Sequence, residues 1–206
     1  SPLKMEEYAQ YLLKQLEYHQ VRSCTIIGLS LGAMIGICAL ATSPGHISHV
    51  IAINSSCRLS PWWQRFNLPF ALNKLLRAKK HTHCSRLEQG ILQFTSTQQR
   101  DNHTLLKQWS EYRQANHTRM INGIRQIIAA ARFIPAPMLI GQSNITFIVG
   151  GQDKLVRPAC SKALADYVKA PCYQVADAAH DLPLDQPQAL IDLIKEIMSG
   201  HPYKAT

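Results

Sequence analysis

A serine with glycine two residues to either side, Gly28-Leu29-Ser30-Leu31-Gly32, is the first place in this sequence where residue type and spacing could do chemistry. A serine hydroxyl is a poor nucleophile near neutral pH. To attack an acyl carbon it needs a base beside it and hydrogen-bond donors facing the oxyanion that forms. A sharp strand-to-helix turn meets part of that need: it projects the hydroxyl, offers the backbone N–H of the next residue, here Leu31, as an oxyanion donor, and sets the positive end of a helix dipole beneath the site. So tight a turn asks for minimal side chains two positions before and two after the serine, and Gly28 and Gly32 supply them. The same pattern also arises by chance in glycine-containing loops, so its surroundings must decide.

Asp153 and His180 are the candidate partners. Asp153 closes the run Gly150-Gly151-Gln152-Asp153, where a buried carboxylate would accept Nδ1–H of a histidine, fix its tautomer and stabilise the imidazolium formed during attack. Taken alone, the run reads equally well as an ordinary turn. His180 is one of nine histidines. It is singled out by following Ala178-Ala179, preceding Asp181-Leu182-Pro183-Leu184-Asp185-Gln186-Pro187, and completing the chain order Ser, Asp, His. Asp177 and Asp181 read as turn or solvent carboxylates, because a side chain rarely orients the ring of its sequence neighbour.

The elements that must position these residues follow from the apolar pattern. Tyr8, Leu12, Leu13 and Leu16 recur at helical spacing between Met5 and Tyr18. The brief β-branched run from Ser23 to Ile27 reads as a strand, Ala33 to Ala41 as a buried helix, and His49 to Asn54 as a second strand. Alternation resumes with a strand over Asn144 to Val149, a helix from about Pro158 to Val168, a weaker strand over Cys172 to Val175 and an amphipathic helix from Gln188 to Met198. Strand, helix, strand alternation predicts an α/β fold with a mostly parallel sheet, right-handed crossovers and chemistry at the C-terminal strand ends. Each of the three candidate residues follows a predicted strand. Residues 1–57 and 139–206 form the predicted core. Residues 58–138, helical and polar-rich, read as an insertion.

Composition narrows the functional classes. A 206-residue chain that is 46% hydrophobic can bury a substantial core. No apolar run reaches the roughly 18 residues of a membrane span, and the first residues lack a leader pattern. The six cysteines, at 24, 38, 57, 84, 160 and 172, form no CxxC pair. That usage suits a reduced interior and points to the cytoplasm. Residues 58–138 hold thirteen Lys and Arg against three acids, a balance of +10, whereas the remainder holds nine against ten. With Arg77, Lys79, Lys80 and Arg86 as its core, this positive region would steer an anionic substrate or an acidic acyl-carrier partner, or it is simply a solvated helical face. No nucleic-acid-binding module accompanies it. His81-Thr82-His83-Cys84 lacks a second ligand pair, so no metal is expected. Trp62, Trp63 and Phe66 are candidate substrate-binding residues lining an acyl pocket; packing at the junction of the insertion is the alternative.

The Gly28–Gly32 turn, the Gly-Gly-Gln-Asp run and the segment Ala178 to Pro187 together resemble the α/β-hydrolase superfamily over residues 5 to 198. That resemblance implies a serine esterase or thioesterase needing no cofactor: Ser30 attacks, His180 shuttles the proton, Asp153 orients it, and residues 58–138 act as a helical cap. The serine argues against haloalkane dehalogenases and epoxide hydrolases, which share the architecture but carry aspartate at the turn, and leaves hydrolysis of esters, thioesters and C–C bonds open. The segment Asn54-Ser55-Ser56-Cys57 and the Ala-Ala-His motif are similar to carboxylesterases of the pimeloyl-acyl-carrier-protein methyl esterase type. The sequence departs from the family in having only 29 residues before Ser30. The expectation is therefore that the N-terminal strands of the sheet, and the loop giving a second oxyanion donor, are absent from this chain, and that the first strand lies at a sheet edge. The competing reading is a binding module of the same fold without turnover, or an inactive fragment of a longer hydrolase.

Overall fold

The structure, a computed structural model, describes residues 2–78, 86–116 and 120–199. Lys79, Lys80 and the run His81-Thr82-His83-Cys84 lie outside the described residues.

Four strands form one sheet: β1 (Cys24–Leu29), β2 (Ile47–Ile53), β3 (Ile145–Gly150) and β4 (Cys172–Val175). They are ordered β1-β2-β3-β4 and all neighbours are parallel. Parallel strands need covered faces, which is why β3, apolar but for Thr146, is buried at all six positions. Successive side chains of β2 divide between the two faces. Val50 and Ala52 enter the core formed with α1 (Met5–Tyr18), α2 (Leu31–Thr42) and α8 (Pro158–Val168), while Ile51 and Ile53 enter a second core with Leu190 and Leu193 of α10 (Pro187–Ser199).

The amphipathic α1 buries Met5 and Ala9 and packs Tyr8, Leu12, Leu13 and Leu16 against the first core. α2 has no polar face, since it lies between the sheet and α1 and buries Ala33, Met34, Ile37 and Leu40 among others. That double coverage explains why it reads as apolar all round. α8 stops at Lys169, which takes the left-handed conformation.

Among the described residues five helices lie between β2 and β3: α3 (Trp62–Arg65), α4 (Leu68–Arg77), α5 (Arg86–Thr95), α6 (His103–Ala115) and α7 (Met120–Arg132), followed by a short 3-10 turn at Pro137–Leu139. α4 and α6 start on the asparagine caps Asn67 and Asn102, each accepting from the amide three residues on. A short α9 (Leu182–Asp185) precedes α10. None of the described helices is long and apolar enough to cross a membrane.

The register aligns Leu29 with Ile53 and Ile53 with Ile148, and pairs Gly150 with Val175. The segments after all four strands, which carry Ser30, Asn54, Asp153 and His180, thus leave the sheet along one edge.

Candidate active site

Ser30 joins β1 to α2 with φ 53° and ψ −111°, a conformation that L-residues rarely adopt. Its neighbours hold it there: Ser30 N–H donates to Ile53 O at 2.7 Å and Ser55 Oγ donates to Ser30 O at 3.1 Å. A Cβ on Gly28 would stand 2.5 Å from the backbone carbon of Gly32 and 2.6 Å from Ala33 N, so the turn closes only over glycine at 28. Gly32 is different. A Cβ there meets nothing within 4 Å among the described residues, which corrects the expectation that both glycines answer a steric need. Leu31 begins α2, where the first N–H groups have no acceptor within the helix.

The expected partners meet across the sheet edge. His180 Nδ1 lies 2.7 Å from Asp153 Oδ2, and the Asp153 side chain is fully buried. Its other oxygen, Oδ1, accepts from Leu155 N–H and Val156 N–H, both at 2.9 Å. The carboxylate is thus fixed by the start of the segment leading into α8, with one oxygen left for the imidazole. Asp177 is exposed and accepts from Gln152 Nε2; Asp181 is half-buried, its carboxyl pushed up by burial against the opposing effect of His180. Among the described residues neither is hydrogen-bonded to the imidazole.

Ser30 and His180 line one cavity of about 490 Å³, lying between the sheet edge and helices α3, α4 and α7. Among the described residues no hydrogen bond joins Ser30 Oγ to the imidazole; such contacts commonly tighten only when substrate is bound. Leu31, Trp62 and Phe66 also line the cavity. Trp63 does not: it stands edge-on to Trp62 at 6.1 Å between ring centroids, 55% exposed. Trp62 itself is 66% exposed, so it borders the opening rather than the interior.

A family model described as the α/β-hydrolase fold matches residues 2–187. The chain belongs to the α/β-hydrolase family. Solved structures share its fold at low identity. An enol-lactonase from Burkholderia xenovorans LB400 superposes with a TM-score of 0.72 at 17% identity, over 95% of this chain and 73% of that one. A meta-cleavage product hydrolase from Pseudomonas fluorescens IP01 gives 0.68 at 13%, over 96% and 72%. A thermophilic esterase from Thermogutta terrifontis gives 0.59 at 17%, over 97% and 74%. A comparison with curated protein sequences finds no match.

Three residues of this α/β-hydrolase fold that sequence reading passed over help to build the site. Asn54, at φ 46°, donates from Nδ2 to the carbonyls of Ala179 (3.0 Å) and His180 (2.8 Å) and accepts Gly150 N–H on Oδ1 at 2.7 Å. It thereby ties the ends of β2 and β3 to the histidine loop. That loop passes so near β3 that a Cβ on Gly150 would come 2.4 Å from Ala179 O. Asp185 is a buried hub, accepting Ala179 N–H at 2.8 Å, Thr97 Oγ1 at 2.9 Å, Gln98 N–H at 3.0 Å, Thr97 N–H and the hydroxyl of Ser96. Burial pushes its carboxyl up, but the Ser96 hydroxyl and the amides of Ala179, Thr97 and Gln98 together pull it below the usual 3.8. Arg65 is the third, a buried guanidinium on the cavity wall. Asn54 looks like the polar end of a strand, Asp185 like a turn residue before Pro187, and Arg65 like one more cation of a basic region. Asn54 and Asp185 do lie in segments that carry the family resemblance, and asparagine tolerates a positive φ, but nothing there marks either as a site residue.

Proposed function

We propose that this chain is a serine hydrolase that cleaves a carboxylic ester or thioester through an acyl-enzyme. The observation that carries the reading is the 2.7 Å contact between His180 Nδ1 and a buried Asp153 carboxylate, in a cavity that His180 shares with Ser30. Asp153 keeps the Nδ1–H tautomer, which leaves Nε2 to take the proton from Ser30 Oγ as it bonds to the acyl carbon. The oxyanion is met by Leu31 N–H at the start of α2. The imidazolium returns the proton to the leaving alcohol or thiol. A water deprotonated by His180 then attacks the acyl-enzyme, releasing the acid and regenerating Ser30.

The apolar walls contributed by Leu31, Met34, Phe66, Leu155 and Val156 suit an acyl chain. Outside the cavity, Lys74 stands near Arg100, Lys154 and Arg77 beside a separate cleft. We propose that this cationic face draws in anionic substrates or an acidic acyl-carrier partner.

A fluorophosphonate probe tests the reading directly. Labelling of the folded chain that disappears in Ser30→Ala, together with turnover of 4-nitrophenyl esters, supports it. Labelling no greater than in that control, in folded protein, rejects it.

A further inference from the structure

Arg65 ends α3 and is 9% exposed, on the cavity wall shared with Ser30 and His180. A guanidinium has five N–H groups in a rigid fork. Three are engaged: Nε toward Ser56 Oγ at 3.4 Å, Nη1 on Ala131 O at 2.8 Å, and Nη2 on Ala130 O. The two carbonyls belong to the last turn of α7, where a helix accepts positive charge most readily. The fork is therefore fixed in place before any ligand arrives, with donors to spare.

No full negative charge answers it. Among the described residues Arg65 forms no ion pair, and the cavity lining includes neither Asp nor Glu. The ionisable groups that reach it are Arg58, of like sign, and the thiols of Cys57 and Cys160, which burial pushes up and so keeps protonated at neutral pH. Around it the wall is apolar, with Met34, Phe66, Ile127, Leu155 and Val156. A cation held without a counter-charge against apolar surface is costly to maintain, and an anion entering the cavity would relieve that cost. A carboxylate is an anion that the remaining N–H groups on Nη1 and Nη2 could meet with charge-assisted hydrogen bonds.

We infer that Arg65 is the anion-recognition residue of this cavity and that the substrate is an ester or thioester bearing a carboxylate remote from the acyl carbon attacked. The inference rests on the serine-hydrolase reading for its chemistry, but the anion site can be tested without turnover.

The experiment compares 4-nitrophenyl hydrogen succinate, glutarate and adipate with the neutral butyrate, valerate and hexanoate esters of equal carbon number. The expected result is a higher kcat/KM for at least one acidic ester than for its neutral counterpart. In Arg65→Gln that ratio falls about 10- to 100-fold, and Arg65→Lys retains part of it. Loosening of α7 alone would slow both esters together and leave the ratio unchanged. A wild-type preference for the neutral esters, or a ratio unmoved in folded Arg65→Gln, overturns the proposal. Should that variant not fold, an unmoved ratio in Arg65→Lys overturns it equally.

Thermal melting with free glutarate or adipate gives the second readout. Stabilisation by the dicarboxylate that valerate or hexanoate does not give, and that the Arg65 variants weaken, supports the anion site. If no ester is cleaved and Ser30 is not labelled, the hydrolase reading fails by itself. The melting shift then decides Arg65, and its absence overturns the anion site as well.

Discussion

Ser30 holds a backbone conformation that glycine would adopt freely, and such strain costs of order 1–3 kcal/mol. Ser30→Gly should therefore melt higher than Ser30→Ala, by about 1 kcal/mol in chemical denaturation, although both lack the hydroxyl. Lower stability for the glycine variant would show that the turn is not strained. The two flanking glycines should separate in the opposite sense. Gly28→Ala drives a methyl into the backbone of α2 and should destabilise by about 1–3 kcal/mol or prevent folding. Gly32→Ala meets open space within α2 and should gain up to about 1 kcal/mol of helix propensity. Asp153→Asn should preserve the fold and lower kcat by about 10³- to 10⁴-fold, because the amide favours the wrong imidazole tautomer; a smaller loss in pre-steady-state ester cleavage would remove Asp153 from its proposed role. At this scale the sequence offered Ser30, Asp153 and His180 as candidates because each lies in the loop that follows a predicted strand, Ser30 immediately and the other two a few residues on. Arg65 was not, because its meaning depends on Ala130 and Ala131, more than sixty residues away.

Among the elements, the best-read were those whose surroundings leave a strong pattern. α1, α8 and β4 match their predicted limits, and β3 is unmistakable because both of its faces are covered. The contacts that hold the histidine loop left no such pattern, since Asp185 in α9 reaches back to the segment after α5, 87 to 89 residues earlier. Its titration gives a test. The carboxyl is depressed in the folded state, so it contributes stability above its unfolded value of 3.8 and loses it as pH falls toward the lower folded value. Asp185→Asn should cost about 1–3 kcal/mol in urea unfolding at pH 7. The gap between variant and wild type should narrow as pH is lowered below about 4. A gap that stays constant with pH would mean that the hub acts by shape rather than charge.

Across the whole molecule, charge is segregated: residues 58–138 carry the positive excess while the rest is nearly balanced. That imbalance was read from the sequence alone, whereas the cavity between this region and the sheet edge required the structure. If the excess steers substrate, kcat/KM for an acidic 4-nitrophenyl ester should fall several-fold between low and 0.3 M NaCl, and that for its neutral counterpart should stay flat. Equal salt profiles would leave the positive face without that role. The hub at Asp185 has a further consequence in time. The amides of Ala179, Thr97 and Gln98 share a single acceptor, although the first adjoins His180 and the others follow α5. None can be released without disturbing the others, so in hydrogen–deuterium exchange the three should open with one common free energy. Fluctuations of the segment after α5 and of the imidazole's mooring would then be one event with one rate.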